Sequence, residues 1–180
     1  MIKKFLLFVF TLLTGLAVYL FFYLGSYKPV EITQEKLGPL YLLYKAHVGA
    51  YHEIGPTIQE VEKWAKGQNI PCLRTFGEYL DNPESMDQDR LRSRGGCLLV
   101  EPLALVPPQF QYEARPERIY VVGRFTGSPA IGPFKVYPMI KKYLDEHRLS
   151  AKESVIEIYQ IDGMEVRTEY LFDTAVPPAK

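Results

Sequence analysis

The sequence is poor in the residues that most often announce a chemistry. It has two cysteines, Cys72 and Cys97, and three histidines, His47, His52 and His147. Neither cysteine belongs to a C-x-x-C pair, and no histidine stands with other ligands at metal spacing. A zinc site, a redox dithiol and any bound metal are therefore without support. Neither sign of charge is in excess, with 21 basic residues against 21 acidic ones. Nucleic-acid binding draws on phosphate neutralisation, so a chain without a basic field is not expected to bind it. A glycosylation sequon is missing: Asn69 precedes Ile70-Pro71 and Asn82 precedes Pro83. Gly123, Gly127 and Gly132 miss the G-x-G-x-x-G spacing of a phosphate cradle, and no cofactor is expected. His47 and His52 flank a loop with Glu53 but without a nucleophile beside them, which reads as surface structure rather than a hydrolytic cluster.

What is present begins with one long apolar run. Residues 5–24 contain no charge, and twenty such residues make a helix of about 30 Å, the thickness of a bilayer core. A cleaved signal peptide has a shorter apolar region and a small-residue cleavage site, which is not evident here, so an uncleaved anchor over residues 1–25 is the expectation. Lys3 and Lys4 precede the run, and Lys28 and Glu31 follow it. The positive-inside rule then places the N-terminus in the cytoplasm and the following domain on the exported side. Residues 26–38 read as a tether, and residues 39–175 as one domain with a core of ordinary composition.

That domain is written twice. Its first half, about residues 39–101, reads as strand, helix, strand, strand: an apolar strand from Leu40, a helix opened by Ile54-Gly-Pro56 with Ile58, Val61, Trp64 and Ala65 on one stripe, and two further strands. The second half, about residues 110–175, repeats the order, with Ile131-Gly-Pro133 an offset of 131 − 54 = 77 residues later and Tyr159 an offset of 159 − 79 = 80 after Tyr79. The fold class is α+β: duplicated strand-helix-strand-strand units with two helices, preceded by one transmembrane helix. The hairpin of the first half, turning near Ser85, puts Cys72 within a residue or two of a position opposite Cys97. Two buried free thiols are expected, with a cross-strand disulfide as the alternative in an exported domain.

The most informative stretch is residues 153–162. Side chains alternate faces along a strand, so Val155, Glu157, Tyr159 and Ile161 share one side, and Ser154, Ile156, Ile158 and Gln160 the other. The face with Ile156 and Ile158 is the one a helix is expected to cover. On the other face a carboxylate stands among apolar residues, which is costly unless a cation pairs with it, its pKa is raised, or the face opens onto a cleft. Under the internal repeat Gly77 corresponds to Glu157 and Thr75 to Val155. A pseudo-two-fold would bring the two strands together with one carboxylate facing no side chain, a geometry for a cavity. Glu157, Tyr159, Tyr79, Gly77 and Val155 are the candidate ligand-binding residues, and the tyrosines serve equally well as packing.

The duplicated unit, the two Ile-Gly-Pro turns, Glu78-Tyr-Leu-Asp-Asn-Pro83 and Glu157-Ile-Tyr-Gln160 resemble the GyrI-like small-molecule-binding domain of the SOUL/GyrI superfamily. Within it, Tyr44-Lys-x-His47, Gly49-x-Tyr51 and the N-terminal apolar run are similar to the testis-expressed, single-pass ER-phagy receptors. The resemblance implies that the two four-element halves form a curved antiparallel sheet with a central cleft in which Glu157 contacts cationic amphiphiles, and in some relatives such a Glu hydrolyses strained rings. ER-phagy receptors carry a disordered acidic tail that binds autophagy adaptors; this chain stops at Lys180, about eight residues after its expected last strand. The expected function is a membrane-anchored module binding a small apolar amphiphile, cations included. Its other partner is the bilayer, through residues 5–24. An adaptor for a protein partner or a hydrolase using Glu157 are the alternatives.

Overall fold

In the computed structural model, which describes residues 2–72, 74–163 and 165–174, the apolar run is a single helix, α1 (Ile2–Tyr23), none of whose side chains is buried. An 18-residue window of it reaches a mean hydropathy of 2.4, and its 22 residues extend about 33 Å at 1.5 Å per residue. It is long and apolar enough to cross a membrane. Eight strands and two further helices follow: β1 (Val30–Leu37), β2 (Leu40–Val48), α2 (Gly55–Gly67), β3 (Arg74–Tyr79), β4 (Arg92–Leu99), β5 (Gln111–Arg115), β6 (Arg118–Thr126), α3 (Gly132–His147), β7 (Ala151–Asp162) and β8 (Glu165–Thr174). They form one sheet in the order β1-β6-β8-β7-β3-β4-β2-β5, antiparallel at every pairing.

Two strands were not expected. Val30–Leu37, inside the stretch read as a tether, pairs with β6 along its whole length, and Gln111–Arg115 pairs with β2. Each half is therefore a five-element unit whose leading strand is exchanged onto the other half. The exchange bends the sheet. Only Gly38 and Pro39 separate β1 from β2, and only Pro116 and Glu117 separate β5 from β6. Yet each connected pair is six strand steps apart in the sheet order. A flat sheet would set them about 29 Å apart, whereas a two-residue link spans at most about 11 Å. The sheet must curl until the links meet. They do meet: a Cβ on Gly38 would lie 2.8 Å from the Cα of Glu117.

The inner face of the curl holds Leu40, Leu42, Phe76, Leu98, Tyr120, Val122, Ile156, Ile158 and Leu171 in one cluster. Arg115 on the edge strand β5 reaches across to Glu78 on β3 at 3.1 Å, a contact only an inward curl allows. The expectation that a helix covers Ile156 and Ile158 is corrected here, because the curl closes that face upon itself. Both helices pack instead on the outer face, the one that carries Glu157. α2 sets Val61 and Ala65 on Leu43, Cys97 and Leu99; α3 sets Val136 and Ile140 on Val121, Phe125 and Tyr170. They sit close because the strands beneath offer glycine. A Cβ at Gly95 would come within 2.7 Å of Ile58, and one at Gly123 within 2.5 Å of Val136.

Cys72 and Cys97 form a disulfide with a Cα separation of 5.5 Å, so the expectation of two free thiols is also corrected. The register puts Cys97 opposite Thr75 rather than Cys72. Cys72 stands ahead of the strand, where the chain leaving α2 is free to turn its side chain onto β4. Closing a 25-residue separation contributes about 2–4 kcal/mol through the unfolded chain. Thiol titration of denatured, non-reduced protein should therefore find no free thiol. Two titratable thiols would show the bridge absent, and reduction should lower the unfolding midpoint.

Candidate functional site

The centre of the sheet is the β3–β7 pair, where the two halves meet. Gly77 lies opposite Glu157, Thr75 opposite Tyr159 and Tyr79 opposite Val155. This is the register the internal repeat requires, with the pseudo-two-fold passing between Gly77 and Glu157. On the outer face one cross-strand row reads Gly95, Gly77, Glu157, Tyr170, Gly123. The outer glycines seat the helices. In the middle, between α2 and α3, Glu157 faces the one position that offers no side chain.

The carboxylate is 4% exposed and, among the described residues, has no cation partner. The arginines are spent elsewhere: Arg94 and Arg115 hold Glu78 on the inner face at 3.3 and 3.1 Å, and Arg124 holds Glu35 and Glu169. Glu157 is held by phenols. Tyr137 on α3 donates to Oε1 at 2.7 Å, and Tyr159 donates to Oε2 at 3.0 Å. The Tyr159 oxygen is also 2.8 Å from that of Tyr79. Tyr159 has a single proton and gives it to Glu157, so Tyr79 is the donor in that contact. A chain of hydroxyls thus runs from Tyr79 through Tyr159 to the carboxylate.

Aromatic rings wall the group in. Tyr51, just before α2, stands edge-on to Tyr79 with ring centres 4.7 Å apart. Its hydroxyl donates to the Asp81 carbonyl and accepts from the Asp81 N–H. Tyr137 meets Tyr170 and Phe172 edge-on at 5.9 and 5.5 Å. The space above Gly77 is taken by the phenol of Tyr79, whose oxygen lies 2.9 Å from where a Cβ would stand. Val155 is buried beside Tyr79. Glu157, Tyr159, Tyr79, Gly77 and Val155 are therefore one contiguous site, closed over by its own tyrosines. Two surface cavities of about 350 and 470 Å³ lie elsewhere, at the end of α2 beside Cys72 and in the loop around Ser85.

Tyr137, Tyr51, Tyr170 and Phe172 complete the site but were not singled out from the sequence. For Tyr137 a signal existed: it falls at helical spacing with Ile140 and Leu144, on the flank of the α3 stripe. Tyr51 lies outside any periodic element and entered only through Gly49-x-Tyr51, as part of the family resemblance and not as a site residue.

Burial is the main cause that pushes the Glu157 carboxyl up to about 7, against the two phenol hydrogen bonds, which favour the charged form. The same burial, with the carboxylate beside them, raises the phenols of Tyr137 and Tyr159 well above the ordinary range. Folding therefore makes Glu157 hold its proton more tightly, and the stability it contributes is complete below the ordinary carboxyl value near 4.5 and lost as pH rises through about 7. The loss amounts to about 3 kcal/mol at 1.36 kcal/mol per pH unit. Urea unfolding of the detergent-solubilised chain at pH 5 and pH 8 should show it, and Glu157→Gln should flatten the difference. A wild type and mutant with parallel pH dependence would contradict the assignment.

The fold has counterparts among solved structures. EcmrR in its DNA complex within the EcmrR-RPo assembly superposes with a TM-score of 0.67 at 13% identity, covering 98% of this chain and 69% of that one. The isolated EcmrR C-terminal domain gives 0.60 at 15% identity over 83% of this chain and all of that one. SAV2435 bound to tetraphenylphosphonium gives 0.54 at 12% identity over 81% of this chain and 94% of that one. No curated protein matches the sequence. The family model of the GyrI-like small molecule binding domain matches residues 30–177, from the first strand of the sheet to beyond its last, and the chain belongs to that family.

Proposed function

We propose that the Glu157 site binds an apolar, cationic small molecule, in a domain that α1 holds to a membrane. The observation that carries this reading is the buried carboxylate with phenols around it and, among the described residues, no cation beside it. An uncompensated carboxylate in an apolar enclosure is costly to the fold, and a lipophilic cation entering the site removes that cost while burying its own rings against tyrosine. The ligand in the SAV2435 structure, tetraphenylphosphonium, is of this chemical class. Entry requires the Tyr79 phenol to swing off Gly77, which breaks its bond to Tyr159 and opens the volume above the glycine.

Tetraphenylphosphonium is the probe. Replacing Glu157 with Gln removes the charge and keeps the shape, so affinity should fall about tenfold or more, the scale of a charged hydrogen bond. A neutral tetraphenyl analogue should bind both proteins alike. Binding of the cation selects the ionised carboxylate, so wild-type affinity should climb as pH rises from about 6 to 8, with proton release on the acid side. Equal weakening of cation and neutral analogue would place the effect of the substitution on the fold.

Glu157 titrates near neutrality and could equally accept a proton in a hydrolytic step; turnover of a strained-ring substrate that Glu157→Gln abolishes would favour that reading. Under the likeness to the ER-phagy receptors the domain would instead be an adaptor, whose partner binding is indifferent to the same substitution.

Placement on the exported side agrees with the Cys72–Cys97 bridge, because disulfides persist in oxidising compartments. After alkaline carbonate extraction the intact chain should remain with the membrane pellet. Its release, or a mature N-terminus beyond residue 24, would remove the anchor from the proposal.

A further inference from the structure

The end of α1 is built into the domain. The Leu24 carbonyl accepts from the Ser128 N–H at 3.0 Å, and the Lys135 ammonium on α3 donates to the carbonyls of Ser26 and Lys28. The Lys28 ammonium in turn pairs with Glu165 at the start of β8, and the Gly127 N–H donates to the Val166 carbonyl. Three elements thus converge on the point where the chain leaves α1: the first turn of α3, the end of β6 and the β7–β8 hairpin. The bonds to Leu24, Ser26 and Lys28 tie the chain leaving α1 to the domain.

Three large apolar side chains project into solvent around that junction. Phe134 in the first turn of α3 is 80% exposed, Ile161 at the end of β7 is 73% exposed, and Tyr27 is 54% exposed, its ring 5.5 Å from that of Phe22. Ile161 is the next residue after Tyr159 on the Glu157 face of β7, so this is the Tyr159 end of the site. The internal repeat supplies a control. The position equivalent to Phe134 is 134 − 77 = 57, a threonine, and that equivalent to Ile161 is 161 − 80 = 81, an aspartate. Asp81 is paired with Arg92 at 2.6 Å. At these two pairs of equivalent positions the end beside α1 carries exposed apolar groups where the other carries polar ones, and among the described residues the exposed apolar residue of that other end is the single, smaller Val48 at the end of β2. Packing cannot explain the difference, because Phe134 and Ile161 are exposed. Aromatic residues continue the pattern along the last turn of α1, at Tyr19, Phe21, Phe22 and Tyr23, as at a membrane–water boundary.

We infer that Phe134, Ile161 and Tyr27 form a rim that rests on the lipid bilayer crossed by α1 and sets the Tyr159 end of the site at the interface. The inference rests on the reading of α1 as membrane-spanning and adds that the domain lies against the bilayer in one orientation. Phosphatidylcholine vesicles containing the full chain test it. Both native cysteines are in the bridge, so a third cysteine is the one free thiol among the described residues. Phe134→Cys, Ile161→Cys and, as the solvent control on α2, Glu62→Cys would each carry an NBD label. Lipids spin-labelled near the headgroup should quench the labels at 134 and 161 at least about twofold more than the label at 62, with emission shifted to the blue. Equal quenching at all three positions, on protein that co-floats with the vesicles, overturns the rim and leaves the anchor standing. Failure to co-float overturns the anchor, and the rim with it. All three positions are exposed, so the substitutions leave the core intact.

Discussion

The structure depends on two short links that cross. Gly38-Pro39 and Pro116-Glu117 each join strands that the sheet order sets six steps apart, and they touch at Gly38 and Glu117. Neither link can span a flat sheet, so the curl is imposed by connectivity before any side chain is considered. Everything else about the two faces follows. The inner face has too little room for a helix and closes on its own aliphatic and aromatic residues. The helices are left with the outer face, where the glycines at 95 and 123 let them approach the strands. The central β3–β7 pair lies between them, and whatever projects outward there is enclosed by helix and tyrosine.

The same curl produces two buried carboxylates with opposite solutions. Glu78 projects inward, where the curl brings Arg94 and Arg115 within hydrogen-bonding distance, and the resulting ion pairs need no other ligand. Glu157 projects outward, and the positions around it are glycine and phenol. Phenols donate hydrogen bonds but carry no positive charge, so they stabilise the anion without neutralising it. The carboxyl is consequently pushed up to about 7, where both protonation states are accessible near neutrality. Glu78 has two arginines as counter-charges, whereas the phenols around Glu157 leave its charge without one among the described residues.

Most of this could be read in the sequence, because the repeat is strong where the site lies. The Ile-Gly-Pro turns and the Tyr79–Tyr159 correspondence fix the register that sets Gly77 against Glu157. Period-two alternation identifies which residues accompany Glu157. What escaped has physical reasons. β1 and β5 are edge strands with one paired side: Val30–Leu37 has only Val30 and Ile32 alternating before its polar residues, and Gln111–Arg115 a single aromatic, so neither shows a core pattern. Without them the crossing links are invisible, and although a curved sheet was expected, the face on which its curl closes, and so the face the helices take, was not. The disulfide escaped because Cys72 lies before its strand, where pairing register does not govern side-chain position.

The departure from symmetry at the two-fold carries the chemistry. Strict duplication offers two arrangements at the central pair. Two glutamates would face each other across adjacent strands and repel, so that one would be protonated for the benefit of the other. Two glycines would leave an apolar slot without charge. The observed pair, Gly77 and Glu157, gives one carboxylate opposite a position without a side chain, over which the Tyr79 phenol lies. The tyrosines, by contrast, keep the symmetry: Tyr79 and Tyr159 occupy equivalent positions and bind each other across the axis. A symmetric pair of phenols over an asymmetric floor closes the site with its own rings. The ring with the smaller cost of moving is Tyr79, since it surrenders one hydrogen bond to a neutral acceptor, whereas Tyr159 would surrender a bond to the carboxylate as well.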